Sequence, residues 1–204
     1  TGRHKHHATS PHGYAWSRNN ENSRATKGQR QMNQNFDQSL EMILMHEGGF
    51  VDDPRDSGGM TNLGVTARVY EEWTGETVTE EIMRNLKVED VAPLYRKMYW
   101  DRLQCGHLPT GIDYFCFDWG INAGTGRAAK ALQRAVGAEV DGAIGAMTMM
   151  KVDKTPAKDI LPRLYSERDM FYRALKNFDA FGRGWTRRNK EAYNHAKVMM
   201  SKDS

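Results

Sequence analysis

His46-Glu47-Gly48-Gly49-Phe50-Val51-Asp52-Asp53-Pro54-Arg55-Asp56-Ser57-Gly58-Gly59-Met60-Thr61-Asn62-Leu63-Gly64-Val65-Thr66 is the stretch on which the reading of this 204-residue chain turns. Just ahead of it, Phe36, Leu40, Ile43 and Leu44 recur at helical spacing and mark the apolar face of a helix over roughly 34–47. Glu47 lies four residues after Ile43 and seven after Leu40, so it falls on that same face. A carboxylate there costs free energy unless it is partnered or carries a proton. Gly48 and Gly49 are stop signals, which puts Glu47 at the negative end of the helix dipole. Desolvation and the dipole both favour the protonated acid, the form that a general acid needs to protonate a leaving-group oxygen.

Cleavage of a glycosidic bond usually takes a second carboxyl group in a different environment. The loop offers Asp52, Asp53 and Asp56. Asp56 is the preferred choice: it follows Glu47 by nine residues and is flanked by Ser57-Gly58-Gly59, where glycines permit tight backbone and close approach of a substrate. A solvated aspartate on a loop stays ionised, able to act as base on a water or to stabilise positive charge on a sugar. Thr61 follows five residues later, with a hydroxyl suited to holding that water. The plainer reading stands beside this one, because Asp-Pro and Asp-Ser-Gly are also ordinary turn chemistry. A calcium loop is disfavoured by the absence of its ligand spacing. Spacing alone leaves turn and catalysis both open.

The run Glu47-Gly48-Gly49-Phe50, Asp53-Pro54, Asp56 and Gly58-Gly59-Met60-Thr61-Asn62-Leu63-Gly64-Val65-Thr66 resembles the signature of glycoside hydrolase family 108, lysozyme-like N-acetylmuramidases found in phage endolysins and in some secretion-associated muramidases. The resemblance implies that Glu47 is the catalytic acid. Tyr95-Arg96-Lys97-Met98-Tyr99-Trp100-Asp101 is similar to an aromatic helix end of the family. Asn122-Ala123-Gly124 through Val136-Gly137, with Val140-Asp141-Gly142-Ala143-Ile144-Gly145, resembles its peptidoglycan-binding half. The likeness runs from about residue 34 to 200. Phe50 departs from the tyrosine often found there, a change that leaves the chemistry untouched. The implied organisation is a tail over 1–31, a lysozyme-like catalytic lobe over 32–109 and a helical, peptidoglycan-binding-like lobe over 110–204. The fold class expected is mainly α, with a small extended arm or hairpin after the catalytic glutamate.

Composition is compatible with this. A hydrophobic content of 39% with five Trp suffices for one core, and twelve Met read as core filler rather than a functional stripe. The net charge of +3 misleads: residues 1–31 hold six basic residues against Glu21, a balance of +5, which leaves −2 for the remainder. A near-neutral body carries no electrostatic footprint for nucleic acid. Residues 1–31, with His4, His6, His7 and His12, read as a low-complexity, tag-like extension, a histidine-rich metal site being the functional alternative. No apolar export segment or 18-residue apolar run is present, so a phage enzyme of this sort is expected to accumulate in the host cytoplasm until the membrane is breached, then act on the wall. Cys105 and Cys116 are expected to be free, buried thiols, and neither has a histidine at a motif spacing that suggests a nucleophile.

The periodicity predicts a short arm over 61–65 and a helix 67–74 between a Thr66 cap and Gly75. Further helices are expected from Thr79 to Leu86 and from Val88 to Arg102, then a buried central helix over 111–122 and another over 127–136 closed by Gly137. A turn over 140–145 requires left-handed backbone at Asp141-Gly142. Helices near 145–152, 156–177 and 186–201 follow, with Pro162 starting a turn or kinking the second of these and Phe181-Gly182-Arg183-Gly184-Trp185 read as a loop.

Asp118 and Asn122 share a helix face, which reads equally as a hydrogen-bonded helix end or a polar strip facing a cleft. Among the aromatics Tyr70, Trp73, Tyr95, Tyr99 and Trp100, the pair Tyr99-Trp100 is the first choice for stacking on a sugar face. Asn62, Tyr99, Trp100, Asp118 and Asn122 therefore form the expected substrate-binding set, with Glu47, Asp56 and Thr61 catalytic and no metal or organic cofactor implied. The expected partner is the peptidoglycan glycan strand, bound by a monomer without membrane insertion. A lytic transglycosylase and a non-catalytic wall-binding module are the competing readings.

Overall fold

The computed structural model describes residues 27–45, 48–52 and 59–202, with side chains from residue 34 onward in the first helix. The mainly helical chain with one small hairpin expected from the sequence is what the described residues show. Helix α1 (Lys27–Leu44) turns Phe36, Leu40, Ile43 and Leu44 into the core, the stripe its spacing required. The hairpin follows as β1 (Thr61–Asn62) and β2 (Val65–Thr66), antiparallel, with Thr61 opposite Thr66 and Asn62 opposite Val65. Val51 adds a further rung, exchanging two backbone hydrogen bonds of 2.8 Å with Thr61.

Local capping fixes the next elements. α2 (Ala67–Thr74) starts where the Thr66 hydroxyl accepts the Val69 amide and ends at Gly75, in left-handed backbone. α3 (Glu80–Asn85) starts under the Thr79 hydroxyl in the same way. α4 (Val88–Tyr95) was expected to run to Arg102, but a π-helical turn occupies Arg96–Trp100, closed by the Asp101 amide on the Arg96 carbonyl. In a regular helix residues five apart diverge by about 140°. The wider π turn brings them near one another, so Tyr95 and Trp100 are both buried on one side.

α5 (Ile112–Ala123) is the central helix: every residue from Ile112 to Gly120 is buried, its two carboxylates Asp113 and Asp118 included. Its first turn is tied to α1, since Asn35 Nδ2 donates to Asp113 Oδ2 at 2.9 Å while Asp113 Oδ1 accepts the Gly111 and Tyr114 amides. α6 (Thr125–Val136), α7 (Ala146–Asp153), α8 (Ala157–Arg173) and α9 (Phe178–Lys202) complete the chain, α8 continuing through Pro162. One buried cluster joins Phe36 on α1 to Met199 on α9, and a smaller one of Ala67, Val78 and Met83 sits beneath the hairpin. Methionine is not only core filler, because Met45, Met147 and Met170 are exposed.

The expected loop at 181–185 is helical, inside α9. Two helical glycines cost about 2 kcal/mol relative to alanine. Packing explains the first of them: a Cβ on Gly182 would stand 2.7 Å from the Phe178 ring, and Trp185 stacks on Tyr172 with ring centroids 5.7 Å apart. Gly182 makes room for a ring rather than marking a turn.

Candidate active site

His46, Glu47, Asp53 and Asp56 lie outside the described residues. What surrounds them in sequence is ordered by two supports. On one side, Phe50 and Met60 pack on the small cluster of Ala67, Val78 and Met83, and the Arg84 guanidinium of α3 lies over the Phe50 ring at 3.9 Å. On the other side stands Tyr95 at the end of α4, whose hydroxyl donates to the Leu63 carbonyl at 2.9 Å. The Val51–Thr61 pairing joins the two ends of the segment that carries Asp56. No described atom lies within 4 Å of where a side chain would project from Gly48, Gly49 or Gly59.

Thr61 is half-buried at the start of β1. Asn62 sits beside it but is committed to structure. Its Nδ2 donates to the Met83 carbonyl at 2.7 Å and its Oδ1 accepts the Leu63 amide at 2.9 Å, leaving little for a sugar. Tyr99 is half-buried, with its ring 5.8 Å from that of Tyr95 and so one ring away from the hairpin. Burial raises its pKa, against a smaller opposing effect of Arg102, so the hydroxyl keeps its proton at neutral pH.

Trp100 differs from its neighbour. It is buried, edge-on to Phe36 at 5.4 Å and to Phe117 at 5.2 Å, and presents no face to a sugar. The physical reason is the π turn, which rotates it inward. Asp118 is equally enclosed: Arg168 Nη1 donates to its Oδ2 and Arg188 Nη2 to its Oδ1, while Asn122 Nδ2 donates to its carbonyl oxygen at 2.6 Å. Of the two readings of Asp118 and Asn122, the hydrogen-bonded helix end is the one found. Burial raises the Asp118 pKa, but the two guanidinium groups outweigh it and hold the carboxyl below the usual range.

The expected wall-binding motif is engaged with itself. Gln133 Nε2 donates to Asp141 Oδ1 at 2.6 Å and faces the Ala143 carbonyl and the Thr148 hydroxyl, while Gln133 Oε1 accepts the Gly142 amide. Gly142 has the left-handed backbone the turn demanded. This clasp holds the α6–α7 connection. Two surface grooves, of about 560 and 260 Å³, lie on α9 and between α8 and α9; among the described residues of the 48–66 segment none lines either. The histidine-rich stretch of the tail lies outside the described residues. Among the described residues no group of three or more His, Cys, Asp or Glu side chains is placed to hold a metal, and no helix is long and apolar enough to cross a membrane.

Sequence reasoning missed Arg84 and Arg168, and it weighed Tyr95 as an aromatic face and not as a tether of the hairpin. Tyr95 meets Leu63 across 32 residues and Arg168 meets Asp118 across 50, contacts with no local signature. The hairpin had only a partial signature, Gly64 beside the β-branched Val65 and Thr66, because leucine is not a usual first residue of such a turn.

The profile of the glycosyl hydrolase 108 family matches residues 40–124. Among solved structures, Brucella abortus SagA is 34% identical, with the alignment covering 82% of this chain and 97% of that one at a TM-score of 0.71. No curated protein matches.

Proposed function

The chain belongs to the glycosyl hydrolase 108 family, and on that premise we propose that it cuts the β-1,4 bond between N-acetylmuramic acid and N-acetylglucosamine, with Glu47 as acid. It is a glycoside hydrolase of lysozyme-like kind, and at the level of the family a peptidoglycan hydrolase. In the proposed reaction Glu47 passes its proton to the glycosidic oxygen as the C–O bond breaks. Asp56, aided by the Thr61 hydroxyl, takes a proton from the water that attacks the anomeric carbon. This is the inverting course; it requires room for a water between the carboxyls, about 6.5–9.5 Å, whereas about 5 Å belongs to a retaining one. Tyr99 is the sugar-stacking candidate.

The observation that carries the reading is that the family match takes in the whole of Glu47 to Thr66, the segment in which an acid, a second carboxylate and a hydroxyl fall in the order the chemistry uses. The half-exposed Thr61 at the base of a braced hairpin supports it. The reading extends to a phage endolysin that waits in the host cytoplasm until the membrane is breached, an extension supported only by the motif resemblance.

Glu47→Gln tests the assignment. Clearing of a cell-wall suspension should be abolished while co-sedimentation with murein persists; undiminished clearing rejects Glu47 as the acid. Mass spectrometry of muropeptides released from purified sacculi decides the reaction: reducing ends mean hydrolysis, anhydro sugars mean a transglycosylase, and no release from the wild type means a binding module.

A further inference from the structure

Leu63 is one of two described non-glycine residues with positive φ, at 49°, and Gly64 follows at 71°. Two central residues in left-handed backbone make a turn of the type that joins two-residue hairpins, in which asparagine or glycine is the usual first residue. A leucine there carries strain, and strained backbone persists only where its surroundings over-determine it. They do so here. The Leu63 amide donates to Asn62 Oδ1, the Leu63 carbonyl accepts from Tyr95 Oη, and Asn62 Nδ2 donates to the Met83 carbonyl. Both anchoring side chains are buried.

Strands of two residues do not hold a geometry by themselves. The position of β1 is therefore set by these anchors on α3 and α4. β1 begins at Thr61, which is two residues from the strained turn and is paired with both Val51 and Thr66. A slackened turn is passed to Thr61 through a single intervening residue.

We propose that Tyr95 and Asn62 are positioning residues: together they pin the strained Leu63–Gly64 turn and so hold Thr61 in register with the reacting bond. The inference rests on the hydrolase reading above. It assigns Asn62 a role different from the substrate contact its sequence position suggested, and it assigns Tyr95 a tethering role where the sequence suggested only an aromatic face.

Tyr95→Phe removes one hydroxyl and keeps the ring. Under the proposal kcat on sacculi falls roughly ten- to a hundredfold with KM within about twofold, since misplacement of a reacting group costs on that order. Hydrogen exchange at the Thr61 and Leu63 amides speeds up in the same variant. Adding Leu63→Gly, which removes the strain the hydroxyl restrains, recovers part of kcat. Asn62→Ala attacks the turn from the other side and serves if Tyr95→Phe does not fold. A folded variant with unchanged kcat, or one in which KM alone rises, overturns the positioning role. Loss through the hydrolase reading looks different: there the wild type releases no muropeptides, or Glu47→Gln stays active.

Discussion

Arg168 Nη1 donates to Asp118 Oδ2 across 2.6 Å, with neither side chain open to solvent. The guanidinium comes from α8 and the carboxylate from α5, and the rings of Phe115, Trp119 and Tyr172 surround it at 5.5–6.0 Å. Arg168 Nε donates to Tyr172 Oη at 3.0 Å, and Arg188 of α9 reaches the other carboxylate oxygen at 3.2 Å. Three helices thus meet on one buried charge.

Such a pair is weak evidence of net stability, but breaking it is costly, because the partner left behind remains buried and charged. Asp118→Ala should lower unfolding free energy by about 3–5 kcal/mol, read by chemical denaturation. The muramidase activity of the fraction still folded should be unchanged. A drop in activity without loss of stability would restore Asp118 to the substrate-binding set. The pH response follows from the sign. Asp118 has a folded pKa below its unfolded value, so its contribution is fully present above the ordinary aspartate pKa near 4 and is lost as pH falls through the depressed one. Wild-type stability should decline below about pH 4, and Asp118→Asn should flatten that part of the profile.

Gly111 offers a cleaner test of the scaffold. Its φ is 87°, and a Cβ there would stand 2.5 Å from the Ala196 carbonyl oxygen on α9, backbone that has no easy way to move. Gly111→Ala should cost roughly 2–4 kcal/mol, from strain and overpacking together. Gly75→Ala isolates the strain: φ is 74° but no described atom lies within 4 Å, so about 1 kcal/mol is expected. Equal losses in the two variants, measured by urea denaturation, would show that the α5–α9 contact yields.

What the sequence made legible was local or strongly periodic. Thr66 and Gly75 bound α2 because capping is settled within four residues. The dense apolar content of α5, with Ile112, Phe115, Cys116 and Trp119 at helical spacing, marked it as a buried helix. Family membership was readable because the Glu47-to-Thr66 motif is a contiguous block. What stayed hidden was tertiary. The glycines of 181–185 look like breakers until the Phe178 ring is placed against Gly182. Tyr99 and Trp100 look like a pair until a π turn sends one inward. Asp118 reads as a candidate ligand until an arginine 50 residues on is seen to hold it. Of the expected catalytic set, Thr61 alone falls among the described residues, so the geometry speaks to the scaffold of that site.

The two thiols give a kinetic prediction. Cys105 and Cys116 are free and fully buried. Burial pushes both pKa values up, Cys116 and Asp113 adding to the effect at Cys105, and Asp113 adding to it at Cys116. Thiolate is the reactive form, so the native protein should resist a thiol-specific reagent. Labelling should begin only as the fold opens and should follow the unfolding transition in denaturant. Rapid modification of the native enzyme would contradict this burial.

Tyr99 and Trp100 separate binding from folding within two adjacent residues. Trp100 is core, so Trp100→Ala should cost about 3–5 kcal/mol and appear as a lowered Tm, with KM on sacculi unchanged in the folded fraction. Tyr99 is half-buried beside Tyr95, the residue that holds the hairpin, and burial keeps its hydroxyl protonated. If it stacks on a sugar, Tyr99→Ala should raise KM on the order of tenfold, equivalent to about 1.4 kcal/mol, at little cost in Tm, and Tyr99→Phe should keep most of the binding. The pair of variants also sorts the outcomes. A KM effect in Trp100→Ala without a Tm change would mean that the π turn relaxes when substrate binds. A KM left untouched by Tyr99→Ala would move the glycan path away from α4, leaving the ring as packing for Tyr95.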